Sequence, residues 1–269
     1  MNGKRLHIGA VQMNCTLGAP EENVTRALDL LKESDGIDII CLPELFTSGY
    51  HLKRLGDQFH ELAEPIPGPT TERFVEAARQ HQVSILGTIV ERDGGALYDT
   101  TFVIDRQHGY LGKYRKSHLY PAEHRYFTPG DRLKIFEVSG VPIGIAICFE
   151  HAFPPIFAAL ALQGAKIVFN PTAVPVGYEY LMELRSRARA QDNQLFIAAA
   201  NHVGSEGDVV YCGLSQITDP KGRVLAQVQR DERVISAEVD LSLINQERDQ
   251  EPALRHFRPE LYIWEEAGG

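Results

Sequence analysis

The sequence predicts one α/β domain, with helices covering sheets built from βα units and hairpins. Three observations point there. Short runs rich in Val, Ile and Leu alternate with segments whose apolar residues recur at helical spacing. Glycine and proline punctuate the joints between them. No linker-like or low-complexity stretch divides the 269 residues, so 1–240 reads as a single domain and 241–269 as a charged tail with scattered aromatics. Composition agrees, since 43% hydrophobic and 23% charged residues exclude disordered, collagen-like and coiled-coil chains.

The elements follow in order. A strand is expected over 6–13. Gly18 and Pro20 then lead into a helix over 21–33, where Val24, Ala27, Leu28 and Leu31 form one buried stripe. A buried strand over 37–42 precedes a punctuated loop, a helix over 71–81 and a strand over 83–90. Gly94-Gly95 turns into a strand over 97–104, and Gly109 separates that from a strand over 110–115. The second half opens with strands over 135–138 and 141–148, a helix over 155–163 and a strand over 167–170. A long helix over 179–193 and a strand over 195–201 follow. Strands over 214–218 and 224–228 bracket Asp219-Pro220-Lys221-Gly222, which is good turn chemistry, and a last strand covers 234–239. The similar β-α-β-α-β-β order of the halves suggests two sheets related by a pseudo-twofold.

A net charge of −9 excludes the basic footprint expected of a nucleic-acid or anionic-membrane partner. The longest clean apolar stretch, 156–162, falls far short of the roughly 20 residues that span a bilayer. The start is broken by His7 and Gln12 and reads as a strand rather than an export signal. Cys15, Cys41, Cys148 and Cys212 have no metal-binding or redox spacing, so free thiols in a reducing, cytoplasmic compartment are expected.

Three residues at three strand ends carry the chemistry. Cys148 closes the apolar run 141–148 just before the helix opened by Pro154-Pro155, a place where turn N–H groups can activate a thiol and bind an oxyanion. Glu44 follows the strand over 37–42, placed for general-base work. Lys116 follows the strand over 110–115, and its ammonium could favour a thiolate or a developing oxyanion. Thiol, carboxylate and ammonium are the parts needed to attack a carbonyl or nitrile carbon. His118, His151 and His202 are alternative bases, ranked below Glu44 because chance neighbours are expected among ten histidines.

These segments, in this order, resemble the nitrilase superfamily of carbon–nitrogen hydrolases. The family's Glu motif resembles Leu42-Pro43-Glu44, its Lys motif the segment from Gly112 to Leu119, and its Cys motif the segment from Gly144 to Glu150. Phe127-Thr128-Pro129-Gly130-Asp131, Asn170-Pro171-Thr172-Ala173 and Arg187 to Asn193 also fit. The resemblance implies an αββα sandwich, homodimeric or larger, with 241–269 at the dimer interface. It implies a Glu44–Lys116–Cys148 triad, with Glu123 positioning Lys116 or a water and the Phe149 N–H sharing the oxyanion with Lys116. No metal or organic cofactor is implied. Tyr50, Asn170 and Ala173 fall at pocket positions of the family pattern. Pro154-Pro155 departs from the Pro-Glu of many relatives at the start of that helix.

His151-Ala152-Phe153 stands where carbamoylases carry an arginine, which disfavours an anionic substrate. Val210 to Ser215 and Phe257 to Leu261 resemble amidases acting on small aliphatic or amino-substituted amides. A short neutral or amino-substituted primary amide is therefore the expected substrate, with Glu150 a candidate to hold an ammonium group. A nitrilase, an N-carbamoyl-amine hydrolase and a non-catalytic scaffold with a relic site are the competing readings.

Overall fold

The apolar runs assemble into two six-stranded mixed sheets in the computed structural model, which describes residues 3–262. In the first sheet β1 (Arg5–Gln12), β2 (Ile39–Cys41) and β3 (Ser84–Asp93) are parallel. From β3 the chain continues as an antiparallel meander through β4 (Ala96–Asp105) and β5 (Gly109–Arg115). The last strand, β14 (Arg233–Asp240), closes the opposite edge antiparallel to β1. The second sheet repeats this plan. Here β7 (Val141–Ile145), β8 (Ile167–Thr172) and β9 (Phe196–Asn201) are parallel. On one side lie the antiparallel β12 (Gln216–Thr218) and β13 (Val224–Gln227), and on the other β6 (Ile135–Val138). The repeated order is the pseudo-twofold suggested by the two halves of the sequence.

Strand alternation divides the side chains between faces. Ile39 and Cys41 of β2 and Ile167 and Phe169 of β8 point into the layer between the sheets, joined there by Ile8, Leu86, Val103, Ile143, Ile145 and Phe196. Ile40 and Phe102 face outward onto α1 (Pro20–Leu30) and α4 (Pro69–His81), through Val24, Ala27 and Phe74. Val168 and Ile197 face outward onto α5 (Pro154–Leu162) and α6 (Ser186–Asn193), through Ile156, Phe157, Leu160 and Ala190. The layers are therefore α-β-β-α.

Several elements differ from the sequence reading. The strand expected over 141–148 stops at Ile145, and Cys148 opens a 3₁₀ turn, Cys148–Ala152. The helix expected over 179–193 contains one π-helical turn, Leu181–Arg185, ahead of α6. The loop after Glu44 holds two short helices, α2 (Leu52–Leu55) and α3 (Phe59–Leu62), whose Leu55 and Phe59 pack with Leu45, Leu119 and Phe127 beside the strand ends. A hairpin, β10 (Val203–Glu206) and β11 (Val209–Cys212), stands apart from both sheets. The expected tail begins with a helix, α7 (Ser242–Gln250), that buries Ile244 in the layer between the sheets. The end of that tail, 263–269, lies outside the described residues. Among the described residues no helix is long and apolar enough to cross a membrane.

Phe169 is fully buried between the sheets. Phe169→Ala is expected to cost about 3–5 kcal/mol of unfolding free energy, because the rigid layers cannot collapse onto the cavity. Chemical denaturation monitored by circular dichroism measures it.

Candidate active site

Three strand exits deliver the three residues singled out above. Past the end of β2 the chain keeps bonding to β3, Leu42 N donating to Leu86 O at 2.9 Å and Phe46 N to Thr88 O at 3.0 Å, so the turn that Glu44 opens is pinned at both ends and Glu44 is fully buried. The backbone carbonyl of Glu44 accepts a hydrogen bond from His202 Nε2. At the end of β5, Lys116 N donates to Asp99 O at 2.9 Å and Lys116 O accepts from Gly130 N at 2.8 Å. A Cβ on Gly130 would collide with the Arg115 carbonyl, which explains the glycine there. Cys148 adopts φ +41°, a left-handed conformation that costs a non-glycine residue about 1–3 kcal/mol. The sharp turn that follows presents its side chain to a cavity of about 510 Å³.

Lys116 Nζ donates to Glu44 Oε1 at 2.6 Å and to Glu123 Oε1 at 2.7 Å, and lies 3.4 Å from Asp99 Oδ2. All four side chains are fully buried. Glu123 is fixed in turn by the Tyr50 hydroxyl at 2.5 Å and the Tyr120 N–H at 2.7 Å. Glu44, Asp99 and Glu123 form the one acidic group with metal-ligand spacing among the described residues, and the Lys116 ammonium lies within 3.4 Å of all three.

Protonation states follow from burial and neighbouring charge. Burial opposes the Lys116 charge, but Glu44, Glu123 and Asp99 outweigh it and hold the ammonium protonated well above the usual lysine range. Burial raises the Cys148 thiol, and Glu44 raises it further, against the lowering effect of Lys116 and the Ala173 N–H. The resting sulfur is therefore a thiol, and attack requires a base. Burial also raises Glu44, with Glu123 adding and Lys116 opposing. A carboxylate shifted toward neutrality is a stronger proton acceptor.

Of the substrate-contact candidates, Tyr50, Phe149 and Ala173 line the cavity with Cys148. Glu150 does not serve the role expected of it. Its Oε1 accepts from Tyr114 Oη at 2.6 Å, Ser117 N at 2.8 Å and Ser117 Oγ at 2.5 Å, and its Oε2 accepts from Ile147 N at 2.6 Å. A buried carboxylate so fully engaged has no capacity for a substrate ammonium; it ties the turn at Cys148 to the exit of β5. Asn170 likewise braces the structure, its Nδ2 donating to the Ala146 carbonyl.

The histidines are not bases for Cys148. His118 bonds Ser117 and packs on Phe153. His151 borders the cavity, but burial, with Arg185 and Arg189, pulls it down to about 3. His202 is buried beside Glu206 and engaged with the Glu44 carbonyl. Four useful residues escaped the sequence reading. Asp99 is one. Glu206 is another, receiving the Tyr50 and His51 N–H groups at 2.8 and 2.9 Å and so fixing the cavity loop. Lys53 and Arg185 bring positive charge to the cavity wall.

The chain matches the carbon–nitrogen hydrolase family profile over residues 7–249 and belongs to that family; it is an enzyme acting on carbon–nitrogen bonds. It is 34% identical over 263 residues to a nitrilase of Pyrococcus abyssi, covering 95% of this chain and 98% of that one. It is 33% identical over 259 residues to the 2-oxoglutaramate amidase of Bacillus subtilis, with 95% and 98% covered. The fold matches Saccharomyces cerevisiae Nit3, a member of the nitrilase superfamily, at TM-score 0.86 and 25% identity, covering 94% of this chain and 97% of that one.

A resting thiol makes a clear kinetic signature. Alkylation of Cys148 by a neutral haloacetamide is expected to accelerate with pH through and beyond about 8.5, the ordinary thiol midpoint. A plateau reached below pH 7 would show a resting thiolate instead.

Proposed function

We propose that this protein hydrolyses a short primary amide to the acid and ammonia through a thioester on Cys148. The observation that carries the reading is the meeting of a buried Glu44–Lys116–Glu123 network with a cavity-facing thiol on a strained turn. Glu44 takes the thiol proton as sulfur bonds to the amide carbon. The oxyanion is held by the Phe149 N–H and by the Lys116 N–H left over from its two short hydrogen bonds; one such donor is typically worth about 3–4 kcal/mol. Glu44 returns the proton to the nitrogen, the C–N bond breaks and ammonia leaves. Glu44 then deprotonates water, which cleaves the thioester and restores the thiol. Splitting one hard step into two easier ones is the gain from the covalent intermediate.

The cavity wall argues against the neutral or amino-substituted amide expected from the sequence and reverses the expectation, drawn from His151-Ala152-Phe153, that an anionic substrate is disfavoured. Its one acid among the described residues, Asp208, is engaged by His51 Nε2 at 2.9 Å and Arg54 Nε at 3.3 Å. Arg185 and Lys53 also line the wall and form no ion pair among the described residues. Among the described residues a substrate carboxylate thus finds cations without an ion pair, whereas an ammonium finds no acid without one. The amide we favour carries a carboxylate at its far end, and the Bacillus subtilis relative is named for a substrate of that kind. An assembly of two or more copies, as the resemblance implies, belongs to the same proposal, and a monomer by light scattering would remove it.

Ammonia release from matched amides, nitriles and carbamoyl compounds tests the reaction. Amides are expected to turn over fastest, with Cys148→Ala inactive on all of them; faster nitrile turnover would favour a nitrilase. Arg185→Ala is expected to raise KM for carboxylate-bearing amides about 10–100-fold, the loss of one charged hydrogen bond of about 1.5–3 kcal/mol, with a smaller change for neutral amides. An equal effect on both classes would refute the carboxylate assignment.

A further inference from the structure

Three carboxyl groups surround a single ammonium in a space without water access. If all were ionised the group would carry two uncompensated negative charges next to a thiol that must lose a proton. The hydrogen bonds show where this imbalance sits. Glu123 is satisfied on both oxygens, by Lys116 and Tyr50 on one and by the Tyr120 N–H on the other. Glu44 is satisfied only at Oε1, and its Oε2 has no donor. Asp99 has no hydrogen-bond donor on either oxygen, Lys116 standing 3.4 Å away. One ligand oxygen from each of the three acids lies within 4.8 Å of the others, which puts Asp99 and Glu44 close enough to share a proton. Two buried carboxyls this close, each with a bare oxygen, are reconciled by one proton. The charged groups facing Asp99 are Lys116 after β5, Glu44 after β2 and Glu123 from the turn beyond Lys116.

We propose that Asp99 keeps a proton at neutral pH and donates it to Glu44 Oε2, as a positioning residue for the base. The proposal rests on Glu44 acting as the base in the reading above. With Lys116 on Oε1 and Asp99 on Oε2, the Glu44 carboxylate is locked in one orientation, and a remaining lone pair is left to take the Cys148 proton. The hydrogen bond also moderates the basicity of Glu44, so that it can hand the proton on to the departing nitrogen. Burial, the strongest influence on Asp99, acts in the direction that keeps this proton, as do the charges of Glu44 and Glu123; Lys116 opposes.

Two measurements test it. Infrared difference spectroscopy of the substrate-free enzyme at pH 7, wild type against Asp99→Asn, is expected to show the carbonyl stretch of a protonated carboxylic acid in the wild type and its loss in the variant. Absence of that band overturns the proposal, whatever the enzyme's substrate proves to be. In kinetics, Asp99→Asn retains a neutral donor and is expected to leave the acid limb of kcat/KM near its wild-type position. Asp99→Leu removes the donor, raises Glu44 and moves that limb up by about one pH unit or more. Acid limbs that coincide in the two folded variants overturn the positioning role. Should Asp99→Leu fail to fold, the infrared band decides alone. A band present in an enzyme inactive on amides would leave the shared proton standing and remove only the assigned reaction.

Discussion

The ammonium of Lys116, buried and bracketed by Glu44 and Glu123 at 2.6 and 2.7 Å, is the interaction on which the rest of the site depends. An isolated charge at that depth is prohibitively unfavourable, so it persists only in fixed company. That requirement explains why so many neighbours are themselves fixed. Glu123 is held by Tyr50 and Tyr120, the Tyr50 backbone by Glu206, and the Glu44 backbone by pairing with β3 and by His202. Electrostatic preorganisation of this kind is bought during folding, so little rearrangement remains when a substrate arrives.

The site also depends on two sheets being in register. Glu44, Asp99 and Lys116 belong to the first sheet or its exits, whereas Cys148 and Ala173 follow strands of the second. Packing between the sheets sets their distance, and Glu150 fixes the last approach by bonding Tyr114 and Ser117 on one side and Ile147 on the other. A carboxylate that sequence suggested as a ligand contact is in fact the fastener between the nucleophile turn and the lysine turn.

Much of this was legible in the sequence. Helical stripes and buried strand runs located the layers because those periodicities are imposed by the same burial that the structure shows. The central three residues stood out because each follows a strand and lies in a recognisable segment. Asp99 was hidden because an acid in a strand is ordinarily read as solvent-facing, although alternation puts it on the same face of β4 as Val103, which packs between the sheets. Glu150 misled because sequence gives position but not direction. The tail helix α7 was missed because its lone deep anchor, Ile244, sits among charged residues. Lys53 lies on the short helix α2 and Arg185 on the π-helical turn ahead of α6, and the approach of these segments to the cavity depends on tertiary packing.

The left-handed backbone at Cys148, φ +41°, has an evolutionary corollary. The cysteine holds a posture that a glycine would adopt more comfortably, so genetic drift toward robustness at this codon runs against turnover, and only selection for chemistry keeps the sulfur in place. The walls that discriminate among substrates obey no such bond. Tyr178, Tyr180, Arg185 and Asp208 stand on connecting segments outside the sandwich strands, where replacements are cheap for the scaffold. Descendants of this chain could therefore wander widely in diet while their reactive machinery stayed frozen.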